Sequence, residues 1–296
     1  MTPEVSEKQL GWLLIAPAAA IICLVAVYPI LSAVNLSFHH IQLQFPGLGR
    51  PFCGLQNYID ILRWERFWHS LGTTVVFSTL TVTSETVLGL ALALVMNRAS
   101  RIQGFTRSAA LVPWAFTTVV SALMWKFIYD TNFGLLNGVL YSRLHLIAQP
   151  RLWLGDPHTA LLCAVVADVW KTTPFMALLI LAGLQGVSKE VYEAGRIDGT
   201  TRWQAFLNIT LPMLKPTLLV ALLFRSLDAF RVFDLIFVLT QGGPGNATES
   251  LSYLTYIKLF GQFDFGQGSA LSVLTFLCVM GISFIYVKVL GAEVRS

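Results

Sequence analysis

Residues Glu193–Pro212, EAGRIDGTTRWQAFLNITLP, form a polar stretch between two long apolar segments. Within it, Glu193-Ala194-Gly195 is followed after three residues by Gly199 and, after nine more, by Ile209-Thr210-Leu211-Pro212. The flanking segments are each long enough to cross a membrane as a helix. The stretch therefore predicts a loop outside the bilayer that joins two membrane spans.

The composition indicates an integral membrane protein. Of the 296 residues, 55% are apolar and 12% are charged, and the mean hydropathy is +0.66, values far from those of an average soluble domain. A helix needs about 20 apolar residues to cross the hydrocarbon core. Six segments meet this length: Leu10–Ser32, Ser70–Met96, Ala109–Tyr129, Thr159–Leu184, Thr217–Thr240 and Ala270–Leu290. We expect the first to be a retained helix, because its apolar run exceeds the roughly 7–15 residues of a signal peptide.

These spans predict an all-α polytopic fold with six transmembrane helices, organised as a single domain over residues 1–296. The polar loop 187–215 then lies on one side of the membrane, and loops 33–69, 130–158 and 241–269 lie on the other. With the amino terminus inside, ten basic residues are inner: Lys8, Arg98, Arg101, Arg107, Lys189, Arg196, Arg202, Lys215, Lys288 and Arg295. Six are outer: Arg50, Arg63, Arg66, Arg143, Arg151 and Lys258. This bias predicts that both termini are cytoplasmic.

Several classes of function have no support in the sequence. It has no G-x-x-x-x-G-K-[ST] phosphate loop, no H-E-x-x-H and no G-x-S-x-G, so we predict no catalytic residue in this chain. Its four cysteines form no CxxC pair and its five histidines are scattered, so we predict no metal site. The formal net charge of +4 reflects the bias of the inner loops and gives no reason to expect nucleic-acid binding.

The predicted fifth span contains charged residues at every third position: Arg225, Asp228, Arg231 and Asp234. On one continuous helix they follow half of the circumference, and successive members are close enough to pair. Charges at membrane depth cost at least a few kcal/mol each unless they are paired or hydrated. This half of the helix therefore faces either protein, as a structural ladder, or a wet substrate path. The ladder has no net charge, which suits a neutral polyhydroxylated solute better than an anion.

The predicted fourth span carries a second polar cluster. Asp168 and Lys171 lie one turn apart, and Pro174 removes a backbone donor, so we expect a kink in this helix. Such a kink either lines a cavity or only improves packing. Aromatic faces that could stack on a sugar are Trp114, Trp125, Trp170 and Phe230, although any one such residue is more often a core or interface-belt residue.

The spacing from Glu193 to Pro212 resembles the EAA loop of ABC-importer permeases, which reads Glu-Ala-Ala, three residues, Gly, nine residues, Ile-x-Leu-Pro. The one departure is Gly195 in place of the second Ala. The runs VWKTTPF at 169–175, FRSLDAFRVFD at 224–234 and LTQGGP at 239–244 are similar to those of the maltose-type carbohydrate uptake family, and in particular of its trehalose-type importers. The resemblance implies a type I ABC importer permease fold and a disaccharide substrate such as trehalose or a related α-glucoside.

The resemblance also implies partners and roles. The partners are a second permease, two ATPase subunits that bind ATP and Mg, an extracytoplasmic sugar-binding protein and membrane lipid, with no cofactor on this chain and no nucleic acid. The loop would be a helix, a turn and a helix that couple to the ATPase through Glu193, Ala194, Gly195, Asp198, Gly199, Ile209, Leu211 and Pro212. The substrate path would use Arg225, Asp228, Phe230, Arg231, Asp234, Asp168, Trp170 and Lys171. The loop Gln241, Gly242, Gly243 and Pro244 would contact the binding protein.

Three alternatives remain open from the sequence. The chain could be a proton-coupled secondary transporter that relays protons through Asp168, Asp228 or Asp234. It could be an importer permease for another polyol or for a glycerol-phosphate-type solute. It could also be a receptor or assembly scaffold, which would leave the charged span unexplained.

Overall fold

The structure, a computed structural model, describes residues 7–45, 47, 49–97 and 103–293. Arg98, Arg101 and Arg295, which contributed to the predicted orientation, lie outside them. The α-helices are α1 Glu7–Ile22, α2 Tyr28–Ser37, α3 Gln56–Arg63, α4 Glu65–Asn97, α5 Gln103–Ala115, α6 Thr118–Ile128, α7 Leu135–Asn137, α8 Pro157–Gln185, α9 Lys189–Ile197, α10 Arg202–Ala205, α11 Leu211–Phe230, α12 Asp234–Leu239, α13 Leu251–Tyr256 and α14 Phe265–Glu293. Between the described residues, β pairing is limited to two isolated bridges. The all-α prediction is confirmed.

Among the described residues, five continuous helical segments are long and apolar enough to span a membrane: Gly11–Ser37, Glu65–Asn97, Pro157–Gln185, Arg202–Phe230 and Phe265–Val289. The predicted third span is instead a pair of helices, Arg107–Ala115 and Thr118–Ile128, bent by 90°. The bend lies where Thr117 leaves helical geometry and its hydroxyl accepts a hydrogen bond from the Val120 N–H to begin α6. If this bent pair is counted as one span, the described residues contain six candidate membrane spans, as the sequence predicts.

The predicted fifth span, Thr217–Thr240, is wrong at both ends. The helix begins at Arg202 and continues through Pro212 and Pro216, after a π-helical turn at Phe206–Thr210. It ends at Phe230, and Asp234 begins the separate helix α12. At the break, the Ser250 hydroxyl donates a 2.8 Å hydrogen bond to the Val232 carbonyl, so a backbone group released by the break has a partner.

The chain divides into two compact units. The first comprises Met1–Glu65 and Thr255–Phe276. In it, the buried Asn57 side chain of α3 donates to the carbonyls of Ser37 and His39, at 2.8 and 3.0 Å. The predicted loop 33–69 therefore contains a short helix, α3, which these bonds tie to the end of α2.

The second unit comprises Arg66–Leu254 and Leu277–Ser296. Its apolar core lies where α4, α8 and α11 meet, around Met96, Met176, Ile180 and Leu214. Gly89 permits a close approach of α4 to α8, because a Cβ there would lie 3.0 Å from Cβ of Met176. Small residues commonly permit such approaches between membrane helices. The expectation of a single domain over the whole chain stays a prediction.

Candidate functional site

The polar loop folds as a helix, a turn and a second helix. Helix α9 ends in a Schellman motif, in which the Thr200 N–H bonds to the Gly195 carbonyl at 2.9 Å and the Gly199 N–H bonds to the Arg196 carbonyl at 3.1 Å. This motif needs a left-handed residue after the helix, and Gly199 has φ +79°. The turn is therefore specified locally by the glycine.

The second helix begins with a capping box. The Gln204 N–H bonds to the Thr201 hydroxyl at 3.3 Å, and the Thr201 N–H bonds to the Gln204 side-chain oxygen at 2.8 Å. Two backbone N–H groups at this helix start, those of Thr201 and Gln204, are thereby satisfied. The helix continues through the π-helical turn into α11, so this loop is joined without a break to the span Arg202–Phe230.

Gly195 stands where the resembled motif has alanine. A Cβ on Gly195 would lie 2.8 Å from Cδ1 of Ile209 and 3.1 Å from the Thr200 hydroxyl oxygen. The glycine thus lets the side chain of Ile209 pack directly against α9. The departure from the motif is explained by close packing inside the loop.

The outer face of the loop is exposed and partly apolar. Glu193, Ala194 and Asp198 are exposed, and Ile197 and Trp203 expose 87% and 68% of their surface. Sequence reasoning missed both apolar residues, because neither belongs to the spaced motif. Exposed apolar side chains beside charged ones are typical of a protein interaction surface.

If this loop couples to an ATPase, as the resemblance implies, replacing Gly199 by valine is expected to reduce transport at least tenfold. A β-branched residue at φ +79° is strongly disfavoured, and left-handed backbone costs non-glycine residues roughly 1–2 kcal/mol. Gly199→Asn should lose less, since asparagine tolerates this region. Gly49→Val is the matched control, because Gly49 has φ +68° and open space around it but lies outside this loop. Equal activity of Gly199→Val and wild type would contradict a requirement for this turn.

Apart from the polar loop, a cluster of carboxylates surrounds the guanidinium of Arg225 on α11. Both carboxylate oxygens of Glu85 on α4 accept from Arg225, one of them at 2.9 Å from Nη2. Asp168 on α8 also accepts from Nη2, and Asp228 accepts from Nη1 at 3.0 Å. Arg225 and Glu85 are buried, with side-chain exposures of 2% and 0%. One buried arginine therefore joins three helices through three carboxylates.

A cavity of about 420 Å³ opens beside this cluster. Its charged lining residues are Asp168, Lys171, Arg225, Asp228, Arg231 and Asp234. Trp114 also lines it, and the Trp114 ring stacks on Phe175 at a centroid distance of 5.9 Å. Asp228 exposes 71% of its side chain, so its free carboxylate surface faces the open space. The lining combines hydrogen-bonding groups with an aromatic face.

The structure brings six of the eight predicted substrate-path residues to this cavity. Phe230 instead lies on a separate apolar cavity of about 830 Å³. Trp170 packs against Phe116 and Trp125, with ring centroids 6.4 and 5.8 Å apart. Neither residue is among those that line the charged cavity.

The predicted ladder on one continuous helix is wrong, because the helix ends at Phe230. Arg231 lines the cavity from the break after α11, and Asp234 lines it from the start of α12. The Arg231 Nε donates a hydrogen bond to the Leu227 carbonyl at 3.2 Å. The Arg225–Asp228 pair is confirmed. Sequence reasoning missed Glu85, although a glutamate inside the apolar run of α4 was a visible signal.

The segment after α12 forms a tightly bonded loop. Gln241 and Gly242 have φ +53° and +76°, and the Thr248 hydroxyl contacts the Gly243 carbonyl at 2.8 Å and the Thr240 hydroxyl at 2.7 Å. A Cβ on Gly242 would lie 2.7 Å from the Tyr253 ring. The predicted contact loop Gln241–Pro244 is therefore a hydrogen-bonded turn in which Gly242 packs closely against the Tyr253 ring.

Residues 85–295 match the family described as the binding-protein-dependent transport system inner membrane component. The chain belongs to this family. Trehalose/maltose transport system permease protein MalF of Thermococcus litoralis is 44% identical over 283 residues, covering 96% of this chain and 94% of the relative. Trehalose transport system permease protein SugA of Mycobacterium tuberculosis is 43% identical over 291 residues, covering 98% and 91%.

The fold of this permease is also found in a solved structure. A bacterial ABC transporter involved in the import of the acidic polysaccharide alginate contains a chain with a TM-score of 0.83, at 19% identity, covering 98% of this chain and 97% of that chain. The family and the fold predicted from the sequence are thereby confirmed. The protein is a membrane component of a binding-protein-dependent transport system. This membership excludes the secondary-transporter alternative.

Proposed function

We propose that this permease carries a neutral disaccharide, with trehalose and maltose as first candidates, into the cytoplasm by alternating access. The observation that carries the proposal is the charged cavity. Its three cations face three carboxylates, and Glu85 adds a fourth carboxylate behind Arg225. An anionic solute would meet an excess of negative charge, whereas sugar hydroxyls can both donate to the carboxylates and accept from the cations.

The size and the lining of the cavity support a small sugar as substrate. Its volume of about 420 Å³ lies within the roughly 300–1,000 Å³ of small-molecule sites. The Trp114 ring offers an apolar face, and Asp228 offers an exposed acceptor. The names of two relatives, which include trehalose and maltose, agree with this chemistry.

The coupling in this proposal runs through one helix. The helix from Arg202 to Phe230 carries the end of the exposed loop and also Arg225, about 35 Å apart at 1.5 Å per residue. A partner ATPase that binds and hydrolyses ATP with Mg would press on Glu193, Ala194 and Asp198, and the helix would carry that displacement to the cavity. We place this loop and both termini in the cytoplasm.

The remaining partners follow from the same proposal. A second permease would complete the translocation path, two ATPase subunits would drive it, and an extracytoplasmic binding protein would deliver sugar to the loop Gln241–Pro244. This chain would supply no catalytic residue. Its role is to translocate the substrate.

Uptake by the complete transporter tests the substrate class. The permease is purified with the proteins that co-purify with it, reconstituted in vesicles and supplied with ATP. We expect ATP-dependent accumulation of radiolabelled trehalose or maltose that excess unlabelled sn-glycerol 3-phosphate does not inhibit. Uptake of the phosphate ester in place of either disaccharide would overturn the proposal and favour the glycerol-phosphate alternative.

A further inference from the structure

A partly buried ion pair fastens the segment after the Gln241–Pro244 loop to helix α4. Glu249 is fully buried and accepts from Arg66 through both oxygens, from Nε to Oε1 at 2.9 Å and from Nη2 to Oε2 at 2.5 Å. The Ser70 hydroxyl donates a third hydrogen bond to Oε1 at 2.7 Å. Bidentate arginine–carboxylate pairs fix geometry as well as charge.

Two further bonds extend this attachment. The Leu251 N–H donates to the Thr74 hydroxyl at 2.9 Å, and Arg66 Nη2 donates to the Asn246 side chain at 3.3 Å. Arg66, Ser70 and Thr74 recur at intervals of four residues, so they form one stripe along α4. The segment from Asn246 to Leu251 is therefore held to three successive turns of the same helix. We call this set of contacts the clasp.

Helix α4 also reaches the charged cavity. It is one continuous helix from Glu65 to Asn97, and Glu85 lies 19 residues after Arg66, about 28 Å along the axis. Glu85 holds the guanidinium of Arg225. The clasp has a second connection to the cavity, because Ser250 bonds to the carbonyl of Val232, a lining residue.

We propose that Arg66 and Glu249 are positioning residues that transmit docking of the binding protein to the cavity. The Thr248 hydroxyl bonds to the Gly243 carbonyl and so ties the loop Gln241–Pro244 to the segment that the clasp holds. In this proposal the loop and α4 therefore move together, and displacement of the loop displaces Glu85 and with it Arg225. The inference rests on the proposed function, since it needs the binding protein to dock on this loop. Neither residue contacts the solute in this proposal.

Glu249→Gln is the informative substitution. Glutamine keeps the shape and one acceptor for Arg66. Arg66 exposes 28% of its side chain, so water can reach the guanidinium N–H that loses its carboxylate acceptor. The reverse substitution, Arg66→Ala, would strand a carboxylate that has no exposure. Arg66→Lys is the milder second variant, because lysine keeps the charge but loses the bidentate geometry.

ATP hydrolysis by the reconstituted complex is measured with and without binding protein loaded with trehalose or maltose. For Glu249→Gln we expect normal yield and normal basal hydrolysis, with the stimulated-to-basal ratio reduced at least fivefold, and for Arg66→Lys a smaller reduction of the same ratio. Asp156→Asn is the matched control. It breaks the exposed Arg151–Asp156 pair of 3.4 Å on another loop, while asparagine retains the helix cap that Asp156 provides to α8. Its ratio should equal that of wild type.

An unchanged ratio in Glu249→Gln, or basal and stimulated rates that fall in equal proportion, would overturn the inference. If Glu249→Gln does not assemble, the ratio of Arg66→Lys decides in the same way.

A spin label on Gln241→Cys, with the four native cysteines replaced by alanine, reports loop mobility without the binding protein. Greater mobility in Glu249→Gln is expected, and unchanged mobility would overturn the clasp. A wild-type complex that the loaded binding protein does not stimulate would count against the proposed function, and the label would still test the clasp.

Discussion

Glu193→Lys is expected to reduce ATP-driven sugar uptake by about a hundredfold or more while the protein still inserts and accumulates in the membrane. Glu193 is exposed on α9 in the loop that we propose contacts the ATPase. A lysine there would reverse the charge offered to a basic partner group, and a like-charge contact at an interface costs several kcal/mol. Vesicle uptake and ATP hydrolysis are measured together.

Glu190→Lys is the matched control for this substitution. Glu190 lies on the same helix, is also exposed, and undergoes the same change of charge. Its own backbone N–H and the Ser188 hydroxyl lower the pKa of Glu190, as expected for an acid at a helix start. Its reversal should leave uptake close to the wild-type rate, because Glu190 is not among the residues that we propose contact the ATPase. If both variants transport at the wild-type rate, Glu193 does not couple this chain to the ATPase.

The parts of the fold that the sequence predicted correctly depend on local signals. Gly199 specifies the turn through its positive φ, and Thr201 with Gln204 begins the next helix within four residues. Length and hydropathy located the spans for a similar reason, because each helix satisfies its own backbone. Such features need no knowledge of distant parts of the chain.

The features that sequence reasoning missed depend on distant partners. Glu85 and Arg225 are 140 residues apart, and Arg66 and Glu249 are 183 apart, so no local spacing pairs them. The helix break at Arg231 is similar, because Ser250 supplies a partner for the carbonyl of Val232. The apolar run continues past this break, and hydropathy alone therefore extended the fifth span ten residues too far.

The structure also changes the electrostatic argument for a neutral substrate. The ladder of the sequence prediction paired two arginines with two aspartates. In the structure, Arg225 is held by three carboxylates, of which only Asp228 is well exposed. Arg225 is therefore a structural centre, and Asp228 is the member of the cluster that is placed to meet a solute.

Arg225→Met is expected to lower the yield of assembled complex at least tenfold. Methionine fills a similar volume but leaves Glu85 and Asp168 without the cation that pairs them, and their side chains are only 0% and 12% exposed. Removing one partner of a buried pair costs about 3–5 kcal/mol. The double variant Glu85→Gln with Arg225→Met should recover part of the yield, because it removes the most buried charge. Size-exclusion chromatography of the purified complex measures this.

Asp228→Asn separates the structural role of the cluster from its role in the substrate path. Asp228 is 71% exposed, so its neutralisation should leave yield unchanged. The weaker acceptor should raise the trehalose or maltose concentration for half-maximal uptake by about tenfold, which corresponds to about 1.4 kcal/mol.

Normal yield of Arg225→Met would contradict the structural role of Arg225. Unchanged half-saturation in Asp228→Asn would move the sugar path away from Asp228. Lys171 and Asp234, which also line the cavity, would then be the next residues to substitute.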